Sequence, residues 1–418
     1  MARFSIQGGT TLKGILSIHG SKNAALPILA CTLIEEGEYI LHNIPDLKDV
    51  ETMINLLHGF GLKTERVEEH SYKIINSGIA DTKAPYELVK AMRASFVVMG
   101  PLLAHKKRAS VPLPGGCAIG TRPVDVHLKG FEALGAHVNI EHGFVNVQAH
   151  ELVGKEMNLD LVTVTGTENI VMAAVKAHGT TIIHNAAKEP EVEDLCNFLV
   201  SMGAKIEGIG TDTLSIQGVE KLTPGEYTII PDRIETGTFI IASLITGCGI
   251  EIEKTNSRHL GGFISKLEQM GVKFDITQQS IKVSAELGKL KCVSIDTEPY
   301  PGFPTDLQAQ TMVLLSLVKG ISEIKENIFE NRFGHVLELN RLGAHIKVEG
   351  NKAIIEGGVK LSGAEVLATD LRAGASLVLA GLVADNTTIV NDIHHIERGY
   401  EDLESRLTAV GAKIKRVA

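Results

Sequence analysis

Six times along the chain a stretch that is apolar nearly all round is followed by a short alternating stretch, a loop, an amphipathic stretch and a second alternation. The first kind reads KNAALPILACTLI, MRASFVVMGPLLA, TENIVMAAVKA, RIETGTFIIASLI, TDLQAQTMVLLSLV and LRAGASLVLAGLV. A helix without a polar face is predicted to lie inside a domain. The alternations after it (EYILHNI, RASVPLP, TTIIHNA, IEIEKTN, ISEIKEN, TTIVNDI) have the period of half-exposed strands. Each amphipathic helix then ends in a recurring phrase: FGLKTERV, LGAHVNIE, MGAKIEGI, MGVKFDIT, LGAHIKVE and VGAKIKRV. Its glycines, Gly61, Gly135, Gly203, Gly271, Gly343 and Gly411, stand at intervals of 74, 68, 68, 72 and 68 residues, where a helix C-terminus takes a left-handed residue.

Alternation of helix and strand in this order predicts an α/β protein of six equivalent units. A chain of 418 residues exceeds what one core supports, so the units divide as three plus three. The expected domains are 22–229, and 1–21 together with 230–418, with the join near the two prolines of TPGEYTIIPD, Thr223 to Asp232. A solenoid is the alternative, but it requires polar capping repeats, which Val390 to Ala418 does not resemble.

Composition narrows the function. Apolar residues at 44% and charged residues at 22% are those of a globular protein. The longest apolar run, Phe239 to Ile250, is too short to span a bilayer, and the N-terminus has no secretion pattern, so a cytoplasmic protein without membrane insertion is expected. A net charge of −9, with no basic run interleaved with aromatics, argues against nucleic acid as a partner. The five cysteines, Cys31, Cys117, Cys196, Cys248 and Cys292, form no CxxC pair and no metal spacing; four read as packing, and no metal is expected.

Cys117 is the exception. It stands in LPGGCAIGTRPVDVHLKG, a glycine-rich loop ahead of an apolar-patterned helix, where Arg122 and the helix N-terminus favour a thiolate. The stretch reads as a reactive lid, or as a surface loop with an incidental thiol. Equivalent loops of other units carry Arg332 and Arg398, while the buried helices begin near Lys22 and Asn23, Arg93, Asp232 and Arg233, Asp306, and Asp370 and Arg372. Helix N-termini and forked guanidinium groups together suit phosphate and carboxylate. Each arginine taken alone reads more readily as part of a solvated surface ion pair, Asp370 with Arg372 for instance; their recurrence at matching positions across two domains is what points to a ligand. Asp306 is either a helix cap or a base for a sugar hydroxyl, and His127 either a packing histidine or a group that tunes the thiol.

The motifs GSKNAALPILA, PGGCAIGTRPVDVHL, PDRIETGTF, YPGFPTDLQAQ, FENRFGH, TDLRAGASLVLAGL and HIERGYE, in this order over the whole chain, resemble the UDP-N-acetylglucosamine 1-carboxyvinyltransferase family of enolpyruvyl transferases. That resemblance implies two inside-out α/β barrels with threefold internal symmetry and an active site in the cleft between them. It implies transfer of enolpyruvate from phosphoenolpyruvate to the 3'-hydroxyl of UDP-N-acetylglucosamine with release of phosphate, the committed step of peptidoglycan synthesis. No metal or organic cofactor is implied, and the chain is expected to work as a monomer or weak homo-oligomer. Carried over by residue, Cys117 protonates C3 of phosphoenolpyruvate, forms adducts through C2 and is captured by the epoxide fosfomycin. Asp306 takes the hydroxyl proton. Lys22, Arg122 and Arg398 hold the phosphate, with Arg332 and Arg372 near the carboxylate and the developing charge. Asn23, Arg93, Arg122, Pro123, Val124, Asp125, Val126, Asp306 and Ile328 match contacts to the nucleotide sugar. In DLVTVTGTENI the chain departs from the pattern: Leu161 stands where better-known members carry a lysine, which leaves the diphosphate to Thr163, Val164 and backbone N–H groups. The runner-up acceptor is shikimate 3-phosphate, that of the family's shikimate-pathway relative, and a catalytically idle UDP-sugar binder is a third reading.

Overall fold

The computed structural model describes residues 2–113 and 124–417, so Cys117, Arg122 and Pro123 lie outside the described residues. These residues fall into two compact units, one of 20–113 and 124–230, the other of 2–19 and 231–417. Five four-stranded sheets and one of three strands are present among them.

One plan recurs in the sheets. In the first, Gly37–His42 pairs antiparallel with Ser71–Asn76, which pairs with Lys63–Glu68, while Glu226–Thr228 adds a parallel strand on the other side. In the three-stranded sheet that parallel strand is reduced to a bridge between Lys83 and Ser110. In the sixth repeat Lys413–Val417 has no following hairpin strand of its own among the described residues. The N-terminal strand Arg3–Gln7 occupies that place, with Phe4 opposite Val390 and Arg3 opposite Val417. Lys13–Ser17 likewise supplies the parallel strand beside Gly249–Glu253. Both N-terminal strands thus pair within the unit built from the second half of the chain.

The apolar helices lie inside and the sheets outside. In the second unit Arg233–Ile245, Gln308–Leu317 and Leu371–Val383 touch one another, and almost every residue of each is buried. In the first unit the helix Lys22–Cys31 touches both Val164–Ala174 and the 3-10 turn Arg93–Val98, which continues into Met99–Lys106. The stretch predicted as one helix from Met92 is divided in two, because Pro101 has no N–H to continue a helix begun upstream. Met99–Lys106 and Val164–Ala174 meet so closely that a Cβ at Gly100 would stand 2.1 Å from the Asn169 carbonyl oxygen. The six repeat glycines all have φ between 94° and 102°, as a left-handed helix end requires. Among the described residues no helix is long and apolar enough to cross a membrane.

Candidate active site

In the second unit the structure brings two of the expected arginines to the carboxylate of a third expected residue. Asp306 lies in the 3-10 turn Thr305–Leu307, and its side chain caps no helix. Its Oδ1 accepts from Arg332 Nη2 at 2.7 Å and its Oδ2 from Arg372 Nη2 at 3.1 Å. Both guanidinium groups are buried, with side chains 6% and 4% exposed, against 27% for Asp306. The reading of Asp306 as a bare cap is therefore wrong: paired guanidinium groups satisfy the carboxylate oxygens better than the sparse N–H groups of so short a turn.

Local chemistry explains why these side chains meet. Asp370 caps the helix Leu371–Val383 by accepting from the backbone N–H of Arg372 and Ala373, at 2.9 and 3.1 Å. This corrects the expectation of an Asp370–Arg372 surface pair, since the guanidinium turns inward instead. There Arg372 Nη1 donates to the Tyr400 hydroxyl at 3.2 Å. Burial opposes the charge on Arg372, but Tyr400, Asp306 and Asp232 outweigh it and hold the guanidinium above its ordinary range. Glu326 joins the two loops of the site. Its Oε2 accepts from Thr305 Oγ1 at 2.9 Å, and its Oε1 accepts from the N–H groups of Ile328 and Phe329 at 2.9 and 3.2 Å. Ile328 is half-buried in this loop, and Arg332 follows with its guanidinium 5.4 Å from the Phe329 ring centre. Arg398 closes the 3-10 turn Ile393–Arg398, half-buried and two residues before Tyr400.

In the first unit Lys22 and Asn23 open the helix Lys22–Cys31, and Lys22 Nζ lies 3.1 Å from Oδ2 of the buried Asp49. Arg93 opens the 3-10 turn Arg93–Val98. Val124 is the N-cap residue of the helix Asp125–Ala133, so Asp125 and Val126 lie in its first turn. Thr163 caps Val164–Ala174, its Oγ1 accepting from Gly166 N–H at 3.3 Å, which starts the helix three residues ahead of the predicted Thr167. Leu161 is 58% exposed just before it.

His127 joins these segments from below. The Asn169 side-chain oxygen Oδ1 accepts from Gly100 N–H at 2.7 Å, so its Nδ2 faces Phe96 O at 3.0 Å and His127 Nδ1 at 2.9 Å. His127 Nδ1 is then the acceptor, and the ring carries its proton on Nε2. Burial, with a smaller effect of the Arg93 charge, lowers the histidine pKa to about 3. A buried neutral histidine must charge on unfolding, so its contribution is present above the unfolded value of about 6.5 and is lost as pH falls towards about 3. We predict that the stability of the wild type relative to His127→Gln falls by roughly 3 kcal/mol in urea unfolding between pH 7 and pH 4. A pH-independent difference would show that the ring is not held neutral.

Of the other thiols, Cys31 and Cys196 are buried; burial pushes Cys196 up to about 12 and Cys31 still higher. Cys248 and Cys292 are half-buried, and Cys248 packs against the core of the second unit. Cys248 donates to Ala285 O and Cys292 to Lys319 O. Asp49, Glu326, Tyr400 and Asn169 were not singled out from the sequence. Their signal is faint: a polar residue in or beside an otherwise apolar element.

Two units, each of three sheets around buried helices, are the architecture that this chain shares with enolpyruvyl transferases of known structure. The crystal structure of the enolpyruvyl transferase NikO from Streptomyces tendae matches with a TM-score of 0.90 at 24% identity, covering 100% of this chain and 99% of that one. An EPSP synthase structure from Acinetobacter baumannii matches at 0.77 and 18% identity, covering both chains fully. Residues 6–407 match the EPSP synthase (3-phosphoshikimate 1-carboxyvinyltransferase) family, and the chain belongs to that family. Within it, the UDP-N-acetylglucosamine 1-carboxyvinyltransferase of Magnetococcus marinus is 52% identical over 417 residues, 100% of each chain. UDP-N-acetylglucosamine 1-carboxyvinyltransferase 1 of Caldanaerobacter subterraneus is 52% identical over 414 residues, 99% of each.

Proposed function

We propose that this protein transfers the enolpyruvyl group of phosphoenolpyruvate to the 3'-hydroxyl of UDP-N-acetylglucosamine and releases phosphate, as a cytoplasmic enzyme of peptidoglycan synthesis acting as a monomer or weak homo-oligomer. The observation that carries the chemistry is the Asp306 carboxylate gripped at both oxygens by Arg332 and Arg372. The acceptor is supported by the full-length relatives at 52% identity.

Asp306 takes the proton of the 3'-hydroxyl as that oxygen attacks C2. Cys117 delivers a proton to C3, which makes C3 a methyl group and C2 tetrahedral. Loss of a C3 proton then expels phosphate and restores the double bond. Lys22, Arg122 and Arg398 hold the departing phosphate, and Arg332 and Arg372 stabilise the carboxylate side. Asn23, Arg93, Pro123, Val124, Asp125, Val126, Thr163, Val164 and Ile328 position the nucleotide sugar. At the Leu161 position no cation is available, so the diphosphate is bound by the N-terminus of Val164–Ala174 and the Thr163 hydroxyl. Closing of the lid around Cys117 excludes water.

A phosphate-release assay with phosphoenolpyruvate and either UDP-N-acetylglucosamine or shikimate 3-phosphate tests this directly. Release with the nucleotide sugar alone is expected. Release with shikimate 3-phosphate alone would transfer the protein to the reaction that the family description names.

A further inference from the structure

Tyr400 is buried, 2% exposed, at a point where all three inner helices of the second unit place a polar group. Thr238 comes from Arg233–Ile245, Gln310 from Gln308–Leu317 and Arg372 from Leu371–Val383. Thr238 Oγ1 donates to Ile234 O at 2.9 Å, so its oxygen is the acceptor for the Tyr400 hydroxyl proton at 2.8 Å. The phenol oxygen is then left to accept, and it accepts from Gln310 Nε2 and Arg372 Nη1, both at 3.2 Å. Gln310 is oriented by the Asp306 carbonyl, which accepts from the same Nε2 at 3.0 Å. The same Nε2 also lies 3.1 Å from Thr238 Oγ1, so its two protons are shared among three acceptors, and two of the bonds in the cluster end on Asp306 or on the arginine that grips it.

The chemistry of the acceptor is informative. A second carboxylate opposite Arg372 would compete with Asp306 for the guanidinium charge. A neutral phenol satisfies Nη1 and leaves that charge to the working carboxylate. Burial raises the Tyr400 pKa despite the nearby Arg372, so the hydroxyl stays neutral. If the ring only filled space, phenylalanine would serve equally well, since the guanidinium also lies 5.5 Å from the ring centre.

We propose that Tyr400 is a positioning residue for the reaction: through its hydroxyl it fixes Arg372 so that Nη2 meets Asp306, setting the direction in which that carboxylate receives the acceptor's proton. This rests on the reaction proposed above. Tyr400→Phe keeps the ring and removes the hydroxyl, leaving Nη1 and Gln310 without that acceptor. Thr238→Val keeps the hydroxyl but removes the acceptor of its proton.

The test is steady-state kinetics of both variants with phosphoenolpyruvate and UDP-N-acetylglucosamine, together with a crystal structure of Tyr400→Phe. We expect kcat to fall about ten- to a hundredfold in Tyr400→Phe, and less in Thr238→Val, with both KM values within about threefold of wild type. The crystal structure should show Arg372 Nη2 drawn away from Asp306. A wild-type kcat in Tyr400→Phe, or a loss confined to KM, would overturn the proposal. Should that variant not fold, Thr238→Val decides alone, and an unchanged kcat there overturns it. If the wild type releases no phosphate, the reaction is at fault; Tyr400 is then judged by the crystal structure, where an intact Arg372–Asp306 pair counts against it.

Discussion

Replacing Asp306 by alanine is expected to lower kcat by about 10²–10⁴-fold, the range for a positioned general base. The same change removes the acceptor of two buried guanidinium bonds, those of Arg332 Nη2 and Arg372 Nη2. Breaking one side of a buried ion pair costs about 3–5 kcal/mol when the remaining charge is fully enclosed. Asp306 is 27% exposed, so the loss should fall at or below the lower end, and the protein should stay folded with a lower unfolding midpoint. Asp306→Asn separates the two effects. Its amide oxygen still accepts from one guanidinium, so it should unfold closer to wild type than the alanine variant, yet it has no basic oxygen and should be as inactive. Wild-type turnover in Asp306→Asn would remove Asp306 from the proton transfer.

Cys117→Ser should be nearly as damaging. A serine hydroxyl gives up its proton far less readily than a thiol, so protonation of C3 is lost, and a decrease of about 10²–10⁴-fold in kcat is expected. Labelling by fosfomycin should vanish in the same variant, because the thiolate is the nucleophile that opens the epoxide. The other cysteines are poor substitutes. Cys31 and Cys196 are enclosed and their thiols hold their protons, while Cys248 and Cys292 are half-buried. Peptide mapping of the wild type should place the adduct on Cys117; an adduct on Cys31 or Cys196 would reject the lid assignment.

Much of the architecture was legible because the period of the hydrophobic pattern is long and repeated. The helices Arg233–Ile245 and Leu371–Val383 start and stop where the apolar runs do. The cap glycines mark every return to a strand. What the pattern does not show is which strand completes the second unit: Arg3–Gln7 pairs with strands from the other end of the sequence, as Phe4 with Val390. A five-residue alternation carries no address for a partner so distant. The site was legible as residue types at helix starts, which follows from the chemistry of N-termini and guanidinium groups. Its internal wiring was not. Asp370 could be named, but whether it faced the backbone or the guanidinium of Arg372 depends on which way one arginine turns. Thr238, Gln310 and Tyr400 stood within recognised motifs, and only their meeting inside the unit gives them a role.

Transfer by addition and elimination leaves a trace in the product. When the reaction is run in deuterium oxide with phosphoenolpyruvate and UDP-N-acetylglucosamine, C3 should gain a solvent deuteron, become a methyl group and lose one hydrogen as phosphate departs. Proton and deuterium NMR of the isolated sugar nucleotide should therefore find an enolpyruvyl ether at the 3'-oxygen with deuterium in its vinyl group. An unmodified nucleotide sugar, or an enolpyruvyl ether whose vinyl group carries no deuterium, would contradict the proposed chemistry.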